Sequence, residues 1–152
     1  MPQHSDHHDA ELLLRLYDLR REARLRAARE WFFAGFQADS AEDVTKRYPP
    51  GSQEDASYRM VGSYWEMAAS IVTRGLINED LFFENTGELW AVWTKLQPLL
   101  GGIRQSSKDP HRFENLEQVG KKYEAWMEKR APGSLALRRT RLAPARGTPP
   151  AK

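Results

Sequence analysis

Apolar residues recur at steps of three and four along the first part of the chain, which is the spacing of one face of an α-helix. The positions are Leu12, Leu16, Leu19, Ala23, Ala27 and Trp31. This pattern predicts one long helix from about Asp9 to Phe36, with charged residues on its opposite face. Ser5, Asp6 and Asp9 are candidate N-caps, because short side-chain oxygens accept hydrogen bonds from free backbone N–H groups.

A short helix and a long one are predicted next. Ser40 is the candidate N-cap of the short helix, and Tyr48-Pro49-Pro50 ends it because proline lacks a backbone N–H. Ser52 opens the long helix, which runs to about Arg74 and carries two adjoining apolar stripes. The stripes consist of Met60, Val61, Tyr64, Trp65, Ala68, Ala69, Ile71 and Val72. Such a wide apolar face predicts a central position in the fold, with Gly75 just after the helix end.

Two more helices are predicted in the second half of the chain. Asn78 caps the fourth helix, whose apolar positions are Phe82, Leu89, Trp93 and Leu96. Pro98 predicts a kink or break shortly before it, and Gly101-Gly102 predict the end of this helix. The fifth helix is predicted from about His111 to Arg130.

Together these elements predict an all-α fold, a helical bundle of four long helices plus one short helix. We expect residues 1–8 to be a flexible N-terminus, residues 9–131 to be a single helical domain and residues 132–152 to be a disordered basic tail. The tail is rich in proline, alanine and arginine. It has too few large apolar residues to offset the entropy lost on ordering.

Charge is distributed unevenly along the chain. The net charge is only +2, but the residues after Pro132 include no Asp or Glu. Their cations are Arg138, Arg139, Arg141, Arg146 and Lys152. The predicted tail is therefore a candidate for weak, salt-dependent contact with nucleic acid.

Composition excludes several classes of site and favours one location. The chain has no cysteine, which excludes disulfides, thiolate metal sites and cysteine nucleophiles. No apolar run approaches the ~20 residues needed to span a bilayer. The first residues also lack the basic and apolar segments of a signal peptide. We therefore expect a cytoplasmic protein with no membrane span.

Two groups of polar residues are candidates for chemistry. His4, His7 and His8 could ligate a metal, although histidines at a flexible terminus lack the neighbours that hold ligands in place. Carboxylates on facing helices can also build metal or acid–base sites, and the candidates are Glu66, Glu84 and Glu88. Neither group has a complete motif, so we predict no catalytic residue and no cofactor.

The fourth helix carries more aromatic residues than one buried face requires. The pairs are Phe82 with Phe83 and Trp90 with Trp93. Aromatic residues at helical spacing usually form the core, but this excess predicts a second buried surface. The four residues are therefore interface candidates for a homodimer or for another protein partner.

The middle of the chain resembles a known family. The resemblance covers about residues 57–128, with a looser similarity in the first helix. It rests on the patterns Tyr64-Trp65-Glu66, Ile71-Val72-x-x-Gly75-Leu76-Ile77-x-Glu79-Asp80-Leu81, Trp93-x-x-Leu96-x-Pro98, Arg104 and Phe113-Glu114-x-Leu116. These are similar to uncharacterised bacterial all-helical proteins, known as a domain of unknown function. The resemblance implies a compact helical bundle and brings no activity, cofactor or site residue.

Three functional hypotheses follow. We rank first a non-catalytic cytoplasmic interaction module that forms a homodimer or binds a protein partner. The alternative is a nucleic-acid-associated accessory protein that uses the basic tail. The third is a carboxylate- or metal-dependent enzyme built around Glu66, Glu84 and Glu88.

Overall fold

The computed structural model describes residues 4–143 of the chain, and this part is all-α. Its helices are α1 (His7–Arg20), α2 (Ala23–Gly35), α3 (Ala41–Arg47), α4 (Gln53–Thr73), α5 (Glu79–Asn85), α6 (Glu88–Leu96), α7 (Leu100–Ser107), α8 (Glu114–Arg130) and α9 (Ser134–Leu142). A 3-10 turn over Gln97–Leu99 joins α6 to α7. None of these helices is long and apolar enough to cross a membrane.

The first predicted helix is in fact two helices, so the prediction of a continuous helix is wrong. The chain breaks at Arg21, whose N–H donates to the carbonyl of Asp18, while the N–H of Glu22 donates to the carbonyl of Leu19. The carboxylate of Glu22 then accepts a hydrogen bond from the N–H of Leu25 at 3.0 Å and caps α2. A glutamate cap is less common than Ser or Asp, and the apolar spacing continues across the break, so the pattern did not indicate it.

The start of α1 confirms one predicted cap and corrects the predicted terminus. Asp6 is the N-cap, and it exchanges hydrogen bonds with Asp9 in a capping box. The helix begins at His7, so residues 7 and 8 are helical and do not belong to a flexible end.

The fourth predicted helix is divided at two places. Pro98 lies in the 3-10 turn, which confirms the predicted break. Thr86 and Gly87 separate α5 from α6, and the hydroxyl of Thr86 donates to the carbonyl of Phe82. Gly101-Gly102 do not end a helix, because both lie in α7, which ends at Ser107 and is followed by Lys108 in the left-handed conformation. The predicted count of four long helices and one short one is therefore corrected.

Helix α4 lies at the centre of the core, as the width of its apolar face predicts. It packs against both α2 and α8, and its Trp65 is only 1% exposed. The next layer is formed by α6 against α8. There Trp93 lies so close to Gly120 that an added Cβ would be 2.5 Å from its Cδ2 atom.

Part of the predicted disordered tail is an ordered helix. Helix α9 packs on α8 and α6, and its Leu135 is only 3% exposed. Arg138 donates to the Tyr123 hydroxyl at 2.8 Å, and Arg139 forms an ion pair with Glu124. The prediction of disorder is wrong for residues 134–142, whereas residues 144–152 of the predicted tail lie outside the described residues.

Candidate functional site

The four aromatic interface candidates belong to the core of the chain itself. Phe82, Phe83, Trp90 and Trp93 are all buried. The ring of Phe83 meets Tyr123 edge-on at 5.4 Å, and the indole N–H of Trp90 donates to Glu124 at 3.0 Å. Phe83, Trp90 and Trp93 contact residues of α8, so these three are buried within the chain itself. The fourth predicted helix has many aromatic residues because both α5 and α6 bury more than one face in the fold.

The carboxylate candidates do not converge on one site. Glu66 accepts hydrogen bonds from the backbone N–H groups of Asn115 and Leu116, so it caps the start of α8. Glu84 pairs with Arg130 at the other end of α8, at 3.7 Å. Roughly 20 Å of helix separates these two ends, at about 1.5 Å per residue. This distance removes the basis for a shared metal or acid–base site.

The third carboxylate, Glu88, belongs to an ion pair inside the fold. Its oxygens accept two hydrogen bonds from Arg29, at 2.6 and 2.5 Å, and one from the indole of Trp65 at 3.3 Å. The hydrogen bonds that Arg29 donates to Glu88 raise the pKa of Arg29. This pair joins α2 to α6, so the role that the structure gives Glu88 is to hold these two helices together.

The histidine candidates lie at the exposed start of α1. His4, His7 and His8 are all exposed, whereas the nearby Asp9 is buried. The carboxylate of Asp9 already accepts hydrogen bonds from the N–H groups of Asp6 and Asn78, at 2.8 and 2.7 Å. Among residues 4–143, no group of three or more His, Asp or Glu side chains is placed to hold a metal ion.

A different feature stands out on the surface, an apolar groove between α1, α4 and α5. Its volume is about 270 Å³. Its floor is formed by buried side chains that also belong to the core, Leu16, Tyr64, Trp65 and Phe82. We call it the α1 groove. A concave apolar surface of this kind is typical of a site that receives an apolar side chain from a partner.

Two exposed apolar residues form the rim of the α1 groove. Leu14 is 65% exposed and Tyr17 is 48% exposed, and they are one helical turn apart on α1. The signal in the sequence is the run Leu12-Leu13-Leu14. Three consecutive leucines span about 200° of a helix, so one of them must leave the core.

One end of the α1 groove is polar and basic. Arg20 lines it, and its buried Nε has no hydrogen-bond partner among the described residues. The guanidinium groups of Arg20 and Arg21 lie 5.1 and 5.5 Å from the ring centroid of Tyr17. The Tyr64 hydroxyl donates to the carbonyl of Leu16 at 2.5 Å, and burial raises the pKa of Tyr64 to about 12. The groove therefore combines an apolar floor with a cationic end.

A comparison with known families tests the family resemblance that the sequence patterns indicated. A family model for a domain of unknown function matches residues 5–123. The chain belongs to the DUF4760 family. The match begins before α1 and reaches Tyr123 in α8, so the α1 groove lies within the DUF4760 region and α9 lies beyond it. Comparisons with curated proteins and with solved structures gave no match.

Proposed function

We propose that this protein is a self-associating helical interaction module, and that its docking surface is the α1 groove. The observation that carries the proposal is Leu14, a large apolar side chain that is 65% exposed directly beside an apolar groove. Exposed leucine next to a concave apolar surface favours a partner that covers both. The sequence predicts the cytoplasm as the location of this module.

The shape of the surface favours a second copy of the same chain as the partner. A two-fold symmetric interface brings the same patch of both copies together, so the patch must contain both a projection and a recess. Leu14 and Tyr17 supply the projection, and the α1 groove beside them supplies the recess. Each copy can then insert its rim residues into the groove of the other.

The charges of α1 fit the same arrangement. Glu11 lies near the start of α1, and Arg20 and Arg21 lie at its end. Glu11 and Arg21 are on the face that carries Leu14 and Tyr17, and Asp18 is the other acidic residue of this face. Two antiparallel copies of α1 that cross between Leu14 and Tyr17 bring Glu11 of one copy opposite Arg20 or Arg21 of the other. Opposite charges in these positions fix the register of the two helices.

Sedimentation equilibrium of the full chain over a range of concentrations tests the proposal. We expect the wild-type protein to be a dimer and Leu14→Asp to be a monomer, because an aspartate would be buried without a partner. The matched control is Leu19→Asp, since Leu19 is 49% exposed on another face of the same helix. This control variant should stay dimeric. Circular dichroism confirms that both variants fold.

A charge exchange gives an independent test of the antiparallel register. Glu11→Arg alone should weaken the dimer by placing like charges opposite each other, and Arg21→Glu alone should do the same. The double variant restores opposite charges and should recover the dimer. A monomeric wild-type chain, a dimeric Leu14→Asp variant or a double variant no better than the singles would overturn the proposal.

A further inference from the structure

A second groove lies on a different part of the surface, between the end of α2, the residues before α3, α6 and α9. Its volume is about 790 Å³, within the range of small-molecule binding sites. We call it the basic groove, because its charged lining residues are Asp39 and four cations. The cations are Arg47, Lys95, Arg139 and Arg141.

Two of these cations already have carboxylate partners. The Nε of Arg47 lies 2.8 Å from Asp43, and Arg139 pairs with Glu124. Lys95 and Arg141 form no ion pair with any described residue, so their charges are available to a ligand. The one acidic lining residue, Asp39, cannot neutralise both.

Lys95 is the more unusual of the two. It is half-buried, and its Nζ lies 5.3 Å from the ring centroid of Phe32. Burial lowers the pKa of Lys95. The neighbouring Thr94 also lines the groove, and its buried Oγ1 makes no hydrogen bond to any described residue. A partly buried cation without a counter-charge costs free energy, and a bound anion would offset that cost.

The geometry points to a binding site for a small phosphorylated molecule in the basic groove, in which Lys95 and Arg141 contact the phosphate and Phe33 packs against the organic part. A phosphate offers several anionic oxygens, which match the point charge of lysine and the planar donors of arginine. Phe33 is half-buried in the wall of the groove and supplies an apolar surface. This site is separate from the α1 groove and does not depend on self-association.

Helix α9 completes this site. Arg139 and Arg141 belong to α9, outside the region matched by the DUF4760 family model, whereas Lys95 lies within that region. Packing of Leu135 in the core holds α9 beside α6. Of the basic residues in α9, Arg139 and Arg141 therefore line the same groove as Lys95.

The test is a two-dimensional NMR titration of the full chain with inorganic phosphate and with phenyl phosphate at constant ionic strength. We expect saturable shifts in α6 and α9, and tighter binding of phenyl phosphate because its ring can pack on Phe33. Lys95→Met keeps the apolar stem over Phe32 and removes the charge. It should weaken binding by about tenfold or more, as loss of a charged hydrogen bond does.

Two further variants complete the experiment. Arg141→Gln, at an exposed position, should also weaken binding and is not expected to affect folding. Lys122→Gln is the matched control, because Lys122 is paired with Glu79 away from the groove, and it should bind like the wild type. Unchanged affinity in Lys95→Met, or shifts outside the groove, would overturn the inference. Binding of a single-stranded oligonucleotide but of neither phosphate would overturn it in favour of nucleic acid.

Discussion

Arg29 and Glu88 form a two-bond ion pair that joins α2 to α6, with donor–acceptor distances of 2.6 and 2.5 Å. Both side chains are largely buried, and Arg20 approaches the same carboxylate at 3.9 Å. The pair therefore lies where α1 and α2 meet the start of α6. A buried pair of this kind is strongly destabilising when one partner is removed, because the other charge is left without compensation.

We predict that Glu88→Ala lowers the free energy of unfolding by about 3 kcal/mol. The matched control is Glu84→Ala, since Glu84 pairs with Arg130 at 3.7 Å and both of these side chains are about half exposed. Its effect should stay below about 1 kcal/mol. Urea denaturation measures both changes. Equal effects in the two variants would show that the Arg29–Glu88 pair has no special role in stability.

A second prediction concerns the contact between α8 and α6. Gly120→Ala would place a Cβ 2.5 Å from a buried ring atom of Trp93, so we expect a loss of about 1–3 kcal/mol from overpacking. Gly101→Ala, in α7, is the matched control because no atom lies within 4 Å of its added Cβ. It should stabilise the protein by about 0.5–1 kcal/mol through helix propensity. A stabilised Gly120→Ala variant in thermal unfolding would contradict the close packing.

The sequence predicted the fold class and the central helix because both depend on apolar periodicity. The two stripes of α4 and the caps at Ser40 and Ser52 are local signals, and the structure confirms them. The break between α1 and α2 is different, since it depends on a glutamate cap within an uninterrupted apolar pattern. Gly101-Gly102 failed as a stop signal because glycine is tolerated within a helix that tertiary contacts hold in place.

The sites were harder to predict than the helices. Spacing places Glu66, Glu84 and Glu88 on helix faces, but it cannot show that each already has a partner at a different place. The two grooves combine residues that are distant in the chain, such as Leu14 with Phe82 and Lys95 with Arg141. Such a combination exists only after the helices pack. Helix α9 has few large apolar residues, so the sequence did not indicate that it packs on the core. In the structure its Leu135 is buried there.

A third prediction tests whether α9 is part of the folded core. Leu135→Ala should destabilise the protein by about 2–5 kcal/mol, because it leaves a cavity at a position that is 3% exposed. Leu137→Ala, in the same helix, is the matched control because Leu137 is 57% exposed. Its effect should stay within about 0.5 kcal/mol. Similar small effects for both variants in urea denaturation would mean that α9 does not dock.

The last prediction concerns alkaline pH and the attachment of α1. The Tyr64 hydroxyl donates to the Leu16 carbonyl, and its pKa is raised from 10.0 to about 12 by burial. Folding thus favours the protonated hydroxyl. This contribution to stability is complete below pH 10, and it is lost as the pH rises towards 12. Ionised Tyr64 can no longer donate, so the bond between α4 and α1 fails in the same range.

Urea denaturation at a series of pH values between neutral and strongly alkaline tests this link. Tyr64→Phe should be less stable than the wild type at neutral pH by about 0.5–1.5 kcal/mol, the usual net contribution of one hydrogen bond. The difference between the two proteins should shrink as the pH passes 10, because only the wild type loses the contribution of Tyr64. Tyr17→Phe in the Leu14→Asp background, in which no second copy covers Tyr17, is the control and should follow the profile of Leu14→Asp alone. If the difference in unfolding free energy between Tyr64→Phe and the wild type stayed constant at all pH values, the ionisation of Tyr64 would not be linked to stability.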